Sequence, residues 1–249
     1  MIKFLIAIHC LFFVLSSHAI LIIAHRGSSG HCPENTLSSF AQAIKENVDM
    51  IELDVHKCAS GELVVFHDAR VDRLTNGHGT IASMPWDELK MLTVLGRERI
   101  PLLKEVIDFI DRRTKIFIEL KSSVAVQDII EIIHDYVQHR QWSYNDFIIA
   151  SFDHMKISDI KRTDPCITIV PLLYGIPINF GACLDSINAI GIGIDIDFIT
   201  QDFVDNIHRR DMTVYVYTVN EIDDLLSIRE YEVDAIITDY PCRIRTYFL

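Results

Sequence analysis

The chain has 249 residues, 49% of them hydrophobic, enough to build a core of full domain size. A formal net charge of −12, with no cluster of Lys and Arg, excludes a nucleic-acid phosphate backbone as the main partner. Only 7 prolines and 10 glycines occur, without low-complexity tracts or short repeats, so no long linker is expected.

In chain order, Lys3 is followed by an apolar run over residues 4–15 and the small-x-small pattern Ser17-His18-Ala19. That order is the pattern of a secretory signal, and the run is short for a membrane span. Residues 1–19 are therefore expected to be a signal peptide and residues 20–249 one domain. The mature protein is then exported, periplasmic or secreted, with no stable membrane span; without a working signal it would remain cytoplasmic. Cys32, Cys58, Cys166, Cys183 and Cys242 follow. They form no C-x-x-C pair, which argues against a zinc cluster and for mostly buried thiols.

Apolar runs rich in Ile, Val, Phe and Tyr predict strands over 21–25, 50–55, 63–67, 115–120, 147–151, 168–173, 193–197, 213–219 and 235–239. Helical apolar spacing predicts helices over 36–46, 102–113, 124–140, 154–161, 201–210 and 220–230. Alternating strands and helices imply parallel strands with helices outside. The gap between Val55 and Leu63 is too short for a parallel crossover, so 63–67 returns antiparallel as a hairpin arm. Eight strands remain, which predicts a (β/α)₈ TIM barrel with a β-hairpin after the second strand. An open doubly wound sheet has less support, because no G-x-G-x-x-G follows the first strand.

Reactive groups in such a barrel gather at the C-terminal strand ends. There the sequence has His25-Arg26-Gly27, then Glu52 and Asp54, then Glu119 and Lys121. Period-two alternation puts Glu52 with Asp54 on one face, and Glu119 with Lys121 on one face. Three converging carboxylates repel unless a cation lies among them, and all-oxygen ligands suit Mg²⁺ or Ca²⁺. Arg26 can hold a phosphate bidentately, and Gly27 would let the backbone approach a ligand. A turn centred near Ser60-Gly61 sets His67 opposite Asp54. His25 and His67 beside a metal-held phosphate can then act as general acid and base.

The motifs HRG (25–27), PENT (33–36), IELDV (51–55), HD (67–68), IELK (118–121), SFD (151–153), TVN (218–220) and TDYP (238–241) occur in this order. Together they resemble the glycerophosphodiester phosphodiesterase family over nearly the whole mature chain. The resemblance implies a TIM-barrel hydrolase that releases glycerol 3-phosphate and an alcohol from a small glycerophosphodiester. It implies Glu52, Asp54 and Glu119 as metal ligands, His25 and His67 as the acid/base pair, and Arg26 and Lys121 as phosphate-binding groups. Phe152 and Tyr217 are candidates either for the wall of the glycerol pocket or for core packing; the family commonly has Trp at the position of Tyr217. Glu34 stands either behind His25 or the metal, or as an acid at a helix start. Asp239 is a candidate to orient a neighbour or to close the barrel floor, and Asp195 and Asp197, which follow a period-two pattern on the sixth barrel strand, are expected to serve a structural polar network rather than to touch substrate. Two other readings are a lysophospholipase D or phosphoinositide-type phospholipase, and a non-catalytic phosphodiester-binding barrel. The phospholipase would need an apolar rim, for which residues 74–98 are the candidate.

Overall fold

The computed structural model describes residues 20–247, apart from 122 and 179. The expected signal peptide lies outside the described residues. Nine strands form the main sheet: β1 (Leu21–Ala24), β2 (Met50–Lys57), β3 (Leu63–Val65), β4 (Lys115–Leu120), β5 (Phe147–Ser151), β6 (Thr168–Leu173), β7 (Gly191–Asp195), β8 (Thr213–Tyr217) and β9 (Ala235–Thr238). All but β3 are parallel neighbours, and β1 pairs with both β2 and β9, so eight strands close into a TIM barrel. The barrel carries α1 (Leu37–Lys45), α2 (Leu103–Ile110), α3 (Val126–His139), α4 (His154–Thr163), α5 (Phe180–Ile187), α6 (Gln201–His208), α7 (Ile222–Ile228) and α8 (Pro241–Arg245) between or after its strands. Helical spacing had not marked α5 or α8.

Strand parity sorts the core into two layers. Ile51, Leu53 and Val55 face outward and pack with Phe40, Leu103 and Ile118 beneath the helices. Ile23, Met50, Phe117, Ala150, Leu172, Tyr215 and Ile237 fill the barrel interior. The glycines of β7 make room there: a Cβ at Gly191 would lie 2.3 Å from the Thr213 carbonyl and 2.8 Å from the Tyr215 ring.

β3 is the predicted hairpin arm, but its register differs by one residue. Val55 pairs with Val65 and Lys57 with Leu63, so the turn centres on Ser60 and Asp54 faces Phe66 rather than His67. Cys58 donates its backbone N–H to the Glu62 carbonyl, which closes the tighter loop. β3 stops at Val65 and frees His67 from strand parity. β7 ends at Asp195, where Asp195 Oδ1 accepts the Asp197 N–H at 2.9 Å and starts a 3-10 turn, Ile196–Phe198. Asp195 and Asp197 therefore do not share a strand face.

In the 71–99 segment Val71, Ile81, Leu89 and Val94 bury into a small core with Cys58, Val64, Phe66 and Ile100, while Met91 and Leu95 are exposed. Among the described cysteine side chains Cys58 is buried, Cys32 is intermediate, and Cys166 and Cys242 are exposed. The expectation of mostly buried thiols fails because Cys166 and Cys242 lie at a helix-to-strand turn and on the outer face of α8.

Candidate active site

Glu52 and Asp54 on β2 are buried, and each offers an oxygen within 4.8 Å of one from the other and from Glu119 on β4. At an effective dielectric constant of about 20, two unit charges at such separations repel by about 3 kcal/mol. Two cations offset part of this. Lys121 Nζ lies 2.8 Å from Asp54 Oδ1 and also binds Glu119 Oε1. Arg26 donates its backbone N–H to Glu52 Oε2 at 2.7 Å, and its Nε stands 3.4 Å from Asp54 Oδ2. Burial pushes the Asp54 carboxyl up, but Lys121 and Arg26 outweigh it and hold Asp54 well below the ordinary range. Burial, with Asp54 and Glu119 adjacent, pushes Glu52 well above that range. Burial and the Asp54 charge push Glu119 up to about 7, against the pull of Lys121.

Three carboxylates face two cations, and two of the three resist ionisation. The cluster is short of positive charge, and Arg26 Nε is buried without a hydrogen-bond partner. An all-oxygen set of this size fits a hard divalent cation.

Each candidate histidine is backed by a carboxylate. His25, at the end of β1, bonds Asp239 Oδ1 through Nδ1 at 2.6 Å. Ser29 Oγ donates to the same oxygen, and Asn220 Nδ2 donates to Asp239 Oδ2 at 2.6 Å. Burial pushes Asp239 up, yet the bonds from His25, Ser29 and Asn220 hold it at about 2. His67 Nδ1 bonds Asp68 Oδ1 at 2.7 Å, and His56 Nε2 bonds the His67 carbonyl oxygen at 3.0 Å. Burial lowers the His67 pKa against the favourable charges of Asp54 and Asp68, so its imidazole stays neutral near neutrality. The aspartates place the ring proton on Nδ1, which leaves each Nε2 available to a ligand.

Glu34 stands behind Arg26, the guanidinium beside Asp54, one side chain removed from the carboxylate cluster. It bridges two arginines: Oε1 accepts from Arg26 Nη1 at 2.8 Å and from Arg73 Nη2 at 2.8 Å. Arg73 also reaches Asp68 through Nε at 2.7 Å. The chain His67–Asp68–Arg73–Glu34–Arg26 thus links one histidine to the guanidinium beside Asp54. Gly27 (φ 80°) lies tight against α1, where a Cβ would come within 2.7 Å of the Ser39 backbone. Asp153 caps α4 by accepting the Lys156 N–H.

Arg73, Asn35, His56 and Asn220 were not singled out as site residues. Asn35 donates to Asp54 Oδ2 at 2.8 Å. His56 continues the period-two series Glu52, Asp54, His56, so a signal existed; Arg73 had none, because it arrives from the 71–99 segment. Phe152 and Tyr217 meet edge-to-face at 6.1 Å and line, with His25, Glu52 and Glu119, a cavity of about 30 Å³. That volume holds about one water.

The described helices include none long and apolar enough to cross a membrane. Residues 25–243 match the model of the glycerophosphoryl diester phosphodiesterase family. A glycerophosphodiester phosphodiesterase of Caldanaerobacter subterraneus subsp. tengcongensis is 33% identical over 236 residues, covering 89% of this chain and 94% of that protein. One of Bacillus altitudinis is 31% identical, covering 89% and 95%. The Oleispira antarctica phosphodiesterase structure, in complex with the product sn-glycerol-3-phosphate, aligns with a TM-score of 0.84 at 29% identity, over 92% and 96% of the chains. The Thermotoga maritima glycerophosphodiester phosphodiesterase, at 23% identity and a TM-score of 0.76, shares the fold. The barrel, the order of its motifs and a family match over residues 25–243 agree: this chain belongs to the glycerophosphoryl diester phosphodiesterase family.

Proposed function

We propose that the protein hydrolyses glycerophosphodiesters to glycerol 3-phosphate and an alcohol, with a divalent cation, Mg²⁺ or Ca²⁺, held by Glu52, Asp54 and Glu119. The observation that carries the reading is one barrel mouth that combines a carboxylate triad with two of its three members buried, two carboxylate-backed histidines, and the side chains of Arg26 and Lys121. When bound, the cation would neutralise charge on the phosphoryl oxygens as a Lewis acid. Arg26 and Lys121 hold the phosphate and stabilise the negative charge that grows on it during displacement. One histidine takes a proton at Nε2 from the glycerol 2-hydroxyl as it attacks phosphorus, and the other gives a proton to the leaving alcohol oxygen; water then opens the resulting cyclic phosphate to glycerol 3-phosphate with the two roles reversed. Asp239 and Asp68 hold the two rings in the tautomer those roles require. Phe152 and Tyr217 exclude water beside the glycerol. Residues 1–19 are proposed to export the protein.

The complex of the Oleispira antarctica enzyme with sn-glycerol-3-phosphate supports the same product class. The test is release of glycerol 3-phosphate from glycerophosphocholine, glycerophosphoethanolamine and glycerophosphoglycerol by the purified protein, with each ion. Turnover of at least one is expected. Inactivity on all three under both ions would instead support a non-catalytic barrel.

A further inference from the structure

The barrel mouth has two unlike halves. β9, β1, β2 and β4 bring the charged groups described above. Inward parity on β5 to β8 puts Phe152, Tyr174, Asp195 and Tyr217 at the rim, one from each strand end. The parity follows from the interior layer, since Ala150, Leu172 and Tyr215 face inward. On β7, a Cβ at Gly193 would meet Leu172 and Tyr217.

Three aromatics on this half are open to solvent, while Tyr217 is half-buried. Tyr174 is 71% exposed, Phe152 46%, and Phe198, from the turn after β7, 42%. Tyr174 packs against Phe198 at 6.1 Å between ring centres. Tyr217 pairs in register with Asp195, and its hydroxyl donates to the Leu173 carbonyl at 2.5 Å, which fixes the ring between Phe152 and Asp195. Asp195 accepts a backbone N–H from Asp197. Neither aspartate is in an ion pair among the described residues, whereas Arg26, Lys121 and Arg73 are all paired on the other half.

Solvent-facing aromatic rings beside an unneutralised carboxylate are the chemistry that recognises an alkylammonium group. An acyl chain would fit less well, because it would strip water from Asp195 and Asp197 without compensation. We propose that this rim is a head-group subsite, and that the preferred substrates are glycerophosphodiesters of cationic amino alcohols such as choline. The proposal rests on the phosphodiesterase reading. Phe152 and Tyr217 stand inner, against the glycerol; Tyr174, Phe198 and Asp195 stand outer, around the ammonium.

The test compares kcat/KM for glycerophosphocholine with that for its uncharged isostere, the 3,3-dimethylbutyl ester of glycerol phosphate. The two differ in charge and hardly in shape. The wild-type protein should favour the choline ester by about tenfold. In Asp195→Asn and in Tyr174→Leu that ratio should fall at least about threefold. Equal turnover of both esters by the wild-type protein overturns the subsite and leaves the phosphodiesterase reading standing. A ratio unchanged in both variants also overturns it. No turnover of either ester, or of glycerophosphoglycerol, would sink the phosphodiesterase reading and this subsite with it.

Discussion

Loading the carboxylate triad with Mg²⁺ or Ca²⁺ should stabilise the protein more at pH 8 than at pH 6. The reason is competition between the cation and protons. Glu119 is pushed up to about 7 by burial and Asp54, and Glu52 is raised by burial, Asp54 and Glu119. Both folded-state values lie above the unfolded ones, near 4.5. The folded cation-free protein therefore keeps protons that the unfolded chain has lost, and it loses stability as pH rises from about 4.5 through about 7. A cation must displace those protons. For Glu119 alone, the ionised fraction drops from about 0.9 at pH 8 to about 0.1 at pH 6, so the apparent Kd rises about tenfold. At saturating cation that is about 1.4 kcal/mol of lost stabilisation, or about 3–5 °C in Tm for a chain of this size. Scanning calorimetry with and without millimolar cation at the two pH values measures it. An equal Tm increment at both, or a larger one at the lower pH, would refute the reasoning.

His25→Ala and His67→Ala should each lower kcat by about a hundredfold or more, with cation affinity by calorimetry retained; substantial turnover in both variants would sink the acid/base assignment. Arg73 is about half exposed, so each of its ion pairs contributes at most about 1 kcal/mol and Arg73→Ala should shift Tm little. Its kcat should nevertheless fall severalfold, because Glu34 and Asp68 lose a shared clamp, and Arg73→Lys should not restore it, lacking the planar fork. Unchanged kcat in Arg73→Ala would show that the clamp positions nothing. Gly191→Ala forces a methyl into the Thr213 carbonyl and should cost about 1–3 kcal/mol by urea titration; an unmoved midpoint would contradict the packing of β7 against β8.

The barrel was legible because its information is local. Each strand is a short apolar run, and the seven-residue gap between Val55 and Leu63 admitted only a hairpin. The triad was legible too, because period-two alternation fixes which carboxylates share a face. What the sequence obscured depends on distant segments or on single-residue geometry. The hairpin register turned on whether the turn centres on Ser60 or between Ser60 and Gly61, a distinction set by the Cys58–Glu62 bond. Glu34 looked like a helix-start acid or a group behind the metal, and its partner Arg73 lies 39 residues on, in a segment with no periodic signal. Asp195 and Asp197 read as one strand face until the side chain of Asp195 ended the strand. The aromatic rim was equally hidden, since Tyr174 and Phe198 join only after the loops following β6 and β7 fold together.

The central claim is a cation-dependent phosphodiester hydrolysis at the triad. The most direct measurement is glycerol 3-phosphate release from glycerophosphocholine by protein stripped with EDTA, before and after addition of Mg²⁺ or Ca²⁺. The account predicts negligible turnover when stripped, recovery with one of the two ions, and no recovery at the same concentration in Glu52→Gln. Full turnover by the stripped protein, or full recovery in Glu52→Gln, would contradict it.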